Sequence, residues 1–494
     1  MNRRKIELFA IIFAGILGLA TFIFLYEKVN PQASLNINIT RDQSTRIARE
    51  FLSASGFDTK SYKEAVIFSS DNEASTYLQK TQGIEKTSDI ARKEVPLWFW
   101  NFRAFKPLEK EEFLVSVDPY SGKIIDFGHL IEDDKEGSSI EQEEAKKIAE
   151  DFVQNKMRIN LSGYEGVEAS SEKMKNRTDH HFEWKKKDFS TGEGELRLGV
   201  YVLGDKVGTF ETYLKVPENF QREYQKESST GDLLSILSLV MMFFVAIAAF
   251  VVFIKKYKAN NIRWKFGLII AIILLVLLLL DAVNSISTFK MSYPTEIGYS
   301  IFWIMGLAAV IVGSIVYGLL IMITGSAGDA LTREVYPKSI GLFKGSIKQI
   351  IFSREFSVNS FLGYFLAFAF LGYVSVFYFI ASKYLHVWTL AEGPMSEIFN
   401  SYFPFLFPLL IGFTAAVSEE FMFRFFAIPF LKKYLRYTFL ALLIPAIIWA
   451  FGHSNYPVYP VYVRGIELTL AGLAFGWVFI RFGLWPCLVA HYVI

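Results

Sequence analysis

The second half of this chain constrains it most: from Leu233 to the last residue, apolar segments follow one another with few charges inside them. A helix crossing a hydrocarbon core of ~30 Å needs about 20 consecutive apolar residues, and a soluble core does not call for such runs in series. The segments are Leu233–Ile254, Phe266–Ile286, Tyr299–Ile323, Ser360–Lys383, a Pro-punctuated stretch Phe403–Leu431, Tyr437–Phe451, Val463–Ile480 and a last piece from Leu484. Leu8–Tyr26 adds one more behind Arg3, Arg4 and Lys5. It shows no A-x-A cleavage site, so it reads as an uncleaved anchor with its N-terminus in the cytoplasm. The expected fold is a polytopic α-helical membrane protein with about nine spanning segments and a duplicated α+β extracytoplasmic domain after the first helix.

Loop charges agree with this count. Lys255, Lys256, Lys258, Arg263 and Lys265 mark one cytoplasmic loop, Arg333 through Arg354 a second, and Lys432, Lys433 and Arg436 a third. Loops 287–298, 385–400 and 454–462 are nearly free of Lys and Arg, Lys290 excepted. The positive-inside rule then puts residues 28–230 outside the cytoplasm of a multi-pass cell-membrane protein. If the last helix begins near Leu484, it reaches only ~16 Å by Ile494, about half of a hydrocarbon core, so the natural chain is expected to continue.

Composition removes other classes. Lys+Arg 51 against Asp+Glu 49 leaves a net charge of +2 without a basic tract, so the footprint of nucleic-acid binding is missing. The single cysteine, Cys487, excludes a disulfide framework and a Cys-based zinc site. Any metal would have to be held by His and carboxylates.

The polar middle looks duplicated at a spacing of roughly one hundred residues. TRDQSTRIAREFL and SIEQEEAKKIAEDFV each place Ile, Ala and Phe on one helix face: Ile47, Ala48 and Phe51, then Ile148, Ala149 and Phe152. Strand-like text follows each. WFWNFRAF and FLVSVDP precede the Ser121-Gly122 turn and KIIDFGH; FEWKKKDF and LRLGVYVL precede Gly204-Asp205 and KVGTFETYL. This helix-then-hairpin order resembles PepSY-like modules. The expected organisation is an anchor (1–27), two modules (28–135 and 136–230), further transmembrane helices with a cytoplasmic loop (231–358) and a C-terminal core (359–494).

Charges inside spanning segments are costly and mark functional sites by default. Here they cluster late. In TAAVSEEFMFRFF, Glu420 and Arg424 share a helix face and can neutralise each other, while Glu419, turned about 100° away, lacks that partner. A carboxylate so placed suits a general base that takes a proton from water. His453 closes the apolar helix of WAFGHSNYP with Trp449 one turn before it, and His491 sits in GLWPCLVAHYVI. One carboxylate and two imidazoles can hold and deprotonate a water, either directly or through a bound Zn²⁺ on Glu419, His453 and His491.

EEFMFR, the helix ending in WAFGH, and GLAFGWVFIRFGLWPCLVAHYV resemble, in order, the motifs of the CPBP intramembrane proteases, the type II CAAX prenyl endopeptidase or Abi family. The resemblance covers roughly residues 360 to 494. It implies that Glu419 activates the attacking water with His453, that Glu420 and Arg424 support the site, and that His491 helps to stabilise the oxyanion. The implied partner is a protein or peptide substrate in or at the membrane. Two departures stand out: Trp449 replaces the family's usual Phe, and the polar residue the family places four after the last His would fall at position 495.

Other readings are testable on the text. HExxH does not occur. Ser326-Ala327-Gly328-Asp329 approaches a GxGD motif that could pair with Asp281 as an aspartyl dyad, against which Asp329 reads as a loop acid partnered by Arg333. A non-catalytic membrane-anchored peptide-binding, immunity or scaffold protein, acting through its outer domain, is the alternative from a different class. No inverted repeat suggests a transporter.

Overall fold

The structure is a computed structural model that describes residues 3–30, 37–189, 191–337, 352–385, 387–389 and 394–494. Helix α1 (Arg3–Val29) leads into a sheet domain. Its first half runs α2 (Arg41–Ala54), β1 (Lys63–Ser70), α3 (Asn72–Gln82), α4 (Ile84–Lys93), β2 (Trp98–Phe105), β3 (Glu112–Val117) and β4 (Ile124–Leu130). The second half runs α5 (Gln142–Asp151), β5 (Tyr164–Lys173), β6 (Thr178–Lys186), β7 (Glu195–Leu203) and β8 (Lys206–Lys215). The eight strands form one sheet in the order β1-β2-β3-β4-β8-β7-β6-β5. Each half therefore contributes a leading helix and four strands, the first with α3 and α4 inserted between β1 and β2, and the two halves meet through their last strands, with Asp126 opposite Glu211 and Phe127 opposite Phe210.

The sequence pattern locates β2 to β4 and β6 to β8, but not β1, β5 or the α3–α4 pair. β5 is an edge strand exposed along almost its whole length, so burial imposes no alternation on it. Helices α2 and α5 supply Ala48, Leu52, Ala145 and Ala149 to a single core with Phe102, Val115, Phe127, Leu198, Val200 and Phe210. The start of α2 is set by a capping box, Thr40 with Gln43.

From β8 the chain enters α6 (Glu218–Lys258), a continuous helix of 41 residues that carries the backbone from the sheet into the apolar region. It is followed by α7 (Trp264–Asn284), α8 (Ile286–Met291), α9 (Tyr299–Val335), α10 (Arg354–Leu385), β9 (Trp388–Thr389), α11 (Pro394–Asn400) and α12 (Leu406–Glu419). A π-helical segment (Glu420–Ala427) then joins α13 (Ile428–Leu435), α14 (Thr438–Phe451), β10 (Val458–Tyr459), α15 (Tyr462–Phe482) and α16 (Leu484–Val493). Among the described residues, 7 helices are long and apolar enough to cross a membrane, while Thr438–Phe451 and Leu484–Val493 are shorter apolar helices. The chain is a polytopic membrane protein with an added sheet domain.

The basic helix ends meet at one end of the bundle: Lys256 and Lys433 both pair with Glu334, and Arg481 pairs with Glu7 at 2.7 Å. Of the second basic loop, residues 338–351 lie outside the described residues, as do 386 and 390–393 of the loop 385–400. The sheet domain packs on the opposite end. Arg103 donates to the carbonyls of Met291 (2.8 Å) and Tyr293 (2.7 Å). The Asn400 amide meets edge strand β1, accepting from Phe68 N (2.5 Å) and donating to Phe68 O (3.3 Å). Helices α1 and α10 approach backbone to backbone, since a Cβ on Gly372 would lie 2.3 Å from Gly18 Cα.

Two sequence readings need correction. Asp329 is not a loop acid: it lies buried inside α9, held by Arg333 Nε at 3.0 Å and near Arg263 at 4.0 Å. Since Arg263 precedes α7 and Asp281 lies near its far end, the two aspartates sit ~27 Å apart along that helix at 1.5 Å per residue. They form no dyad.

Candidate active site

The apolar helix α12 reaches Glu419 and then widens into the π-helical segment, which buries every residue from Glu420 to Ala427. Single π turns inside helices re-aim side chains and occur often at functional sites. Glu420 is 0% exposed and Arg424 2%, so both charges have left water and must answer each other. They do so at 3.1 Å, Arg424 Nη1 to Glu420 Oε1. The guanidinium carbon also lies 4.2 Å above the Trp449 ring and 5.4 Å from that of Phe475, a cation–π sandwich that compensates an arginine otherwise short of hydrogen-bond acceptors.

Glu419 faces away from Arg424 toward the two histidines. His453 Nε2 lies 3.8 Å from Glu419 Oε1, and His491 Nε2 lies 3.5 Å from Glu419 Oε2. The outer nitrogen of each ring is engaged: His453 Nδ1 donates to the Trp449 carbonyl at 2.9 Å, and His491 Nδ1 donates to Glu420 Oε1 at 2.9 Å. His491 therefore stands between the two acids. The Trp449 indole N–H donates to Glu419 Oε2. The expectation that Glu419 lacks an arginine partner holds, but this indole contact was not legible; its only sequence signal is that Trp449 and His453, four apart, share a helix face.

All five sequence-predicted residues, Glu419, Glu420, Arg424, His453 and His491, are thus brought together from α12, the π segment, α14 and α16. The end of α14 is fixed by α6, whose Ser235 hydroxyl donates to the Gly452 carbonyl at 3.1 Å and whose Ser238 hydroxyl donates to that of Ile448. Ser235 lies just inside the apolar run that begins at Leu233, so His453 sits near the sheet-domain end of the bundle. A further buried acid, beyond Glu420 and Asp329, escaped the sequence reading. Glu467 in α15 is 0% exposed and is met by Arg464 at 2.6 Å and by the Tyr378 hydroxyl at 3.3 Å. Its signal was an Arg and a Glu three apart within a spanning segment.

With one ring nitrogen on an outer acceptor and the other toward Glu419, both histidines have the orientation that metal-bound histidines take. The donor set Glu419, His453 and His491 therefore fits a zinc ion in kind. The three ligand atoms do not, however, all fall within 4.8 Å of one another, as those of Glu168, His181 and Glu183 do in the sheet domain. In that second group Glu183 is already taken by Arg197 (2.5 Å) and Tyr213 (2.8 Å), and the two His181 nitrogens face different acids, which makes it an ion-pair network.

Residues 401–494 match the family Type II CAAX prenyl endopeptidase Rce1-like. This Rce1-like segment contains all five residues of the cluster and Trp449. The chain is also similar to the sporulation-killing factor biosynthesis protein SkfC of Bacillus subtilis (strain 168), 20% identical over 314 residues, 61% of this chain and 58% of that protein. It thus spans less than two thirds of that curated relative. No solved structure matches.

Proposed function

We propose that this protein is an intramembrane endopeptidase that hydrolyses a peptide bond of a membrane-associated protein or peptide with a water held by Glu419 and His453. The observation that carries the reading is the pair of gaps around Glu419, 3.8 Å to His453 Nε2 and 3.5 Å to His491 Nε2. Both exceed a strong direct hydrogen bond, so the three groups stay free to contact one water seated beside them rather than between them. With Nδ1 of His453 committed to the Trp449 carbonyl, the neutral ring offers its Nε2 lone pair to one water proton while Glu419 accepts the other. The oxygen then attacks the substrate carbonyl carbon, and Glu419 carries the proton toward the leaving amine.

His491 is flanked by two carboxylates, so a protonated ring there is charge-compensated and its Nε2–H meets the developing oxyanion. Arg424 keeps Glu420 paired and thereby fixes His491. A zinc ion on Glu419, His453 and His491 would polarise the same water and carbonyl; the roles of Arg424, Glu420 and Trp449 would stand. The protein is read as a cell-membrane protein with its N-terminus in the cytoplasm and residues 28–230 outside.

The test compares the membrane proteome processed by full-length protein with that of Glu419→Ala and His453→Ala, with zinc measured in the same purified samples. Loss of one cleavage in both folded variants supports the protease, and zinc content separates metal-held from protein-held water. Unchanged processing in both overturns the reading.

A further inference from the structure

Helix α6 lies outside the matched segment 401–494, yet one of its faces meets the catalytic end of α14. Tyr224, Glu227, Gly231, Ser235 and Ser238 recur on that face at three- and four-residue steps. Tyr224 packs on the sheet-domain core, and Glu227 Oε2 accepts from Val461 N at 3.2 Å. Ser235 and Ser238 reach the carbonyls of Gly452 and Ile448. Between them Gly231 lies against the loop that follows His453, where a Cβ would collide with the Ser454 carbonyl oxygen. One continuous helix thus ties the sheet core to the last turn of α14.

That last turn is irregular in a way that serves His453. Gly452 N bonds Ile448 O, four residues back, at 3.2 Å, but His453 N bonds Ala450 O, three back, at 3.1 Å. The turn tightens there. The Trp449 carbonyl, which a regular helix would give to His453 N, accepts instead from His453 Nδ1 at 2.9 Å. A carbonyl only accepts, so Nδ1 carries the proton of the neutral ring, and Nε2 keeps its lone pair on the side of Glu419. Were the turn to relax to regular α geometry, His453 N would reclaim the Trp449 carbonyl and the ring would lose what fixes its tautomer. A helix C-terminus leaves carbonyls unanswered. Ser235 and Ser238 answer two of them, and the close approach at Gly231 seats the next, that of Ser454, against α6.

We propose that Gly231, Ser235 and Ser238 are positioning residues that keep the last turn of α14 tight and thereby hold His453 as the Nδ1–H tautomer facing Glu419. The proposal rests on the protease reading. It makes α6, a helix anchored in the sheet domain, a working part of the site rather than a tether.

The test uses full-length protein in lipid nanodiscs, labelled with ¹⁵N-histidine and read by NMR at pH 8, where nitrogen shifts tell a protonated ring nitrogen from a bare one. Of the six histidines, the signals of His453 are those lost in His453→Gln. Wild type should show Nδ1 protonated and Nε2 bare. In Gly231→Ala, and in the double variant Ser235→Ala with Ser238→Ala, the two tautomers should mix. Glu419-dependent release of new N-termini from isolated membranes should slow in both, roughly 10- to 100-fold. Ser375→Ala, which removes another buried hydroxyl, in α10, should match wild type in both readouts. Alanine is a better helix former than glycine, so Gly231→Ala leaves α6 itself intact and decides even where the double variant misfolds. A proton on Nε2 in wild type, or a tautomer unmoved by Gly231→Ala whatever the rate, overturns the proposal. The tautomer is read without turnover: a shift with no Glu419-dependent cleavage in wild type would sink the protease reading alone, and Glu419-dependent cleavage with the tautomer unmoved would sink the positioning role alone.

Discussion

Arg424→Met exposes the energetic logic of the site. Methionine keeps most of the length and apolar stem, so the main loss is the charge that answers Glu420 at 3.1 Å in a setting where neither side chain sees water. Removing one member of a buried pair costs ~3–5 kcal/mol because the other is left uncompensated. Here His491 Nδ1 still donates to Glu420, which places the expected loss near the lower bound, about 3 kcal/mol. Glu420→Gln should cost a similar amount, since Arg424 then keeps only the Trp449 and Phe475 rings. The double variant removes both charges and should recover about 2 kcal/mol relative to the sum of the singles. Reversible unfolding in mixed micelles, read by tryptophan fluorescence, measures all four proteins. Additive losses, or an Arg424→Met loss below about 1 kcal/mol, would show that Glu420 is not held as a buried anion by Arg424.

Three further outcomes are expected. Trp449→Phe keeps a ring under Arg424 but deletes the donor to Glu419, so the Glu419-dependent cleavage rate should drop roughly 10- to 100-fold while the smaller buried ring costs about 1–2 kcal/mol of stability; a rate within about twofold of wild type refutes a role for the indole. Gly18→Val puts side-chain carbon where a Cβ already lies 2.4 Å from Phe368 O, and should cost ~1–3 kcal/mol, whereas Gly313→Ala, which opens on empty space, should melt like wild type. In the sheet domain, burial and then the facing Glu211 push Asp126 up to about 7. The folded protein thus keeps a proton that the unfolded chain releases near pH ~4, so stability falls as pH rises from about 4 to about 7 and levels off above. Asp126→Asn should raise the melting midpoint at pH 8 and leave it unchanged at pH 4; equal shifts at both would disprove the linkage.

Much of the fold and all five clustered residues were legible because each left a periodic or compositional trace. Apolar runs marked the spanning helices, and charges inside them marked Glu419, Glu420 and Arg424. What stayed hidden depends on tertiary geometry. Nothing in EFMFRFFA announces the π turn that carries Glu420 and Arg424. Glu218 to Thr230 reads as the end of the second module, yet it is the first part of α6, whose Phe220 and Tyr224 pack on the sheet-domain core. β1 was missed because its environment comes from α8, α11 and Asn400, remote in sequence. The α3–α4 pair was missed because no repeat in the second half predicts it.

The grip of Asn400 on Phe68 also orders events during synthesis. Its partners are separated by 332 residues, so β1 must wait with an open edge while the rest of the sheet and most of the helices are made. At elongation rates of roughly 5–20 residues per second, that wait lasts on the order of 15–60 seconds, far longer than a hairpin takes to form. The β1 edge is therefore exposed to unwanted pairing until α8 and then, with the segment leading into α12, Asn400 reach it.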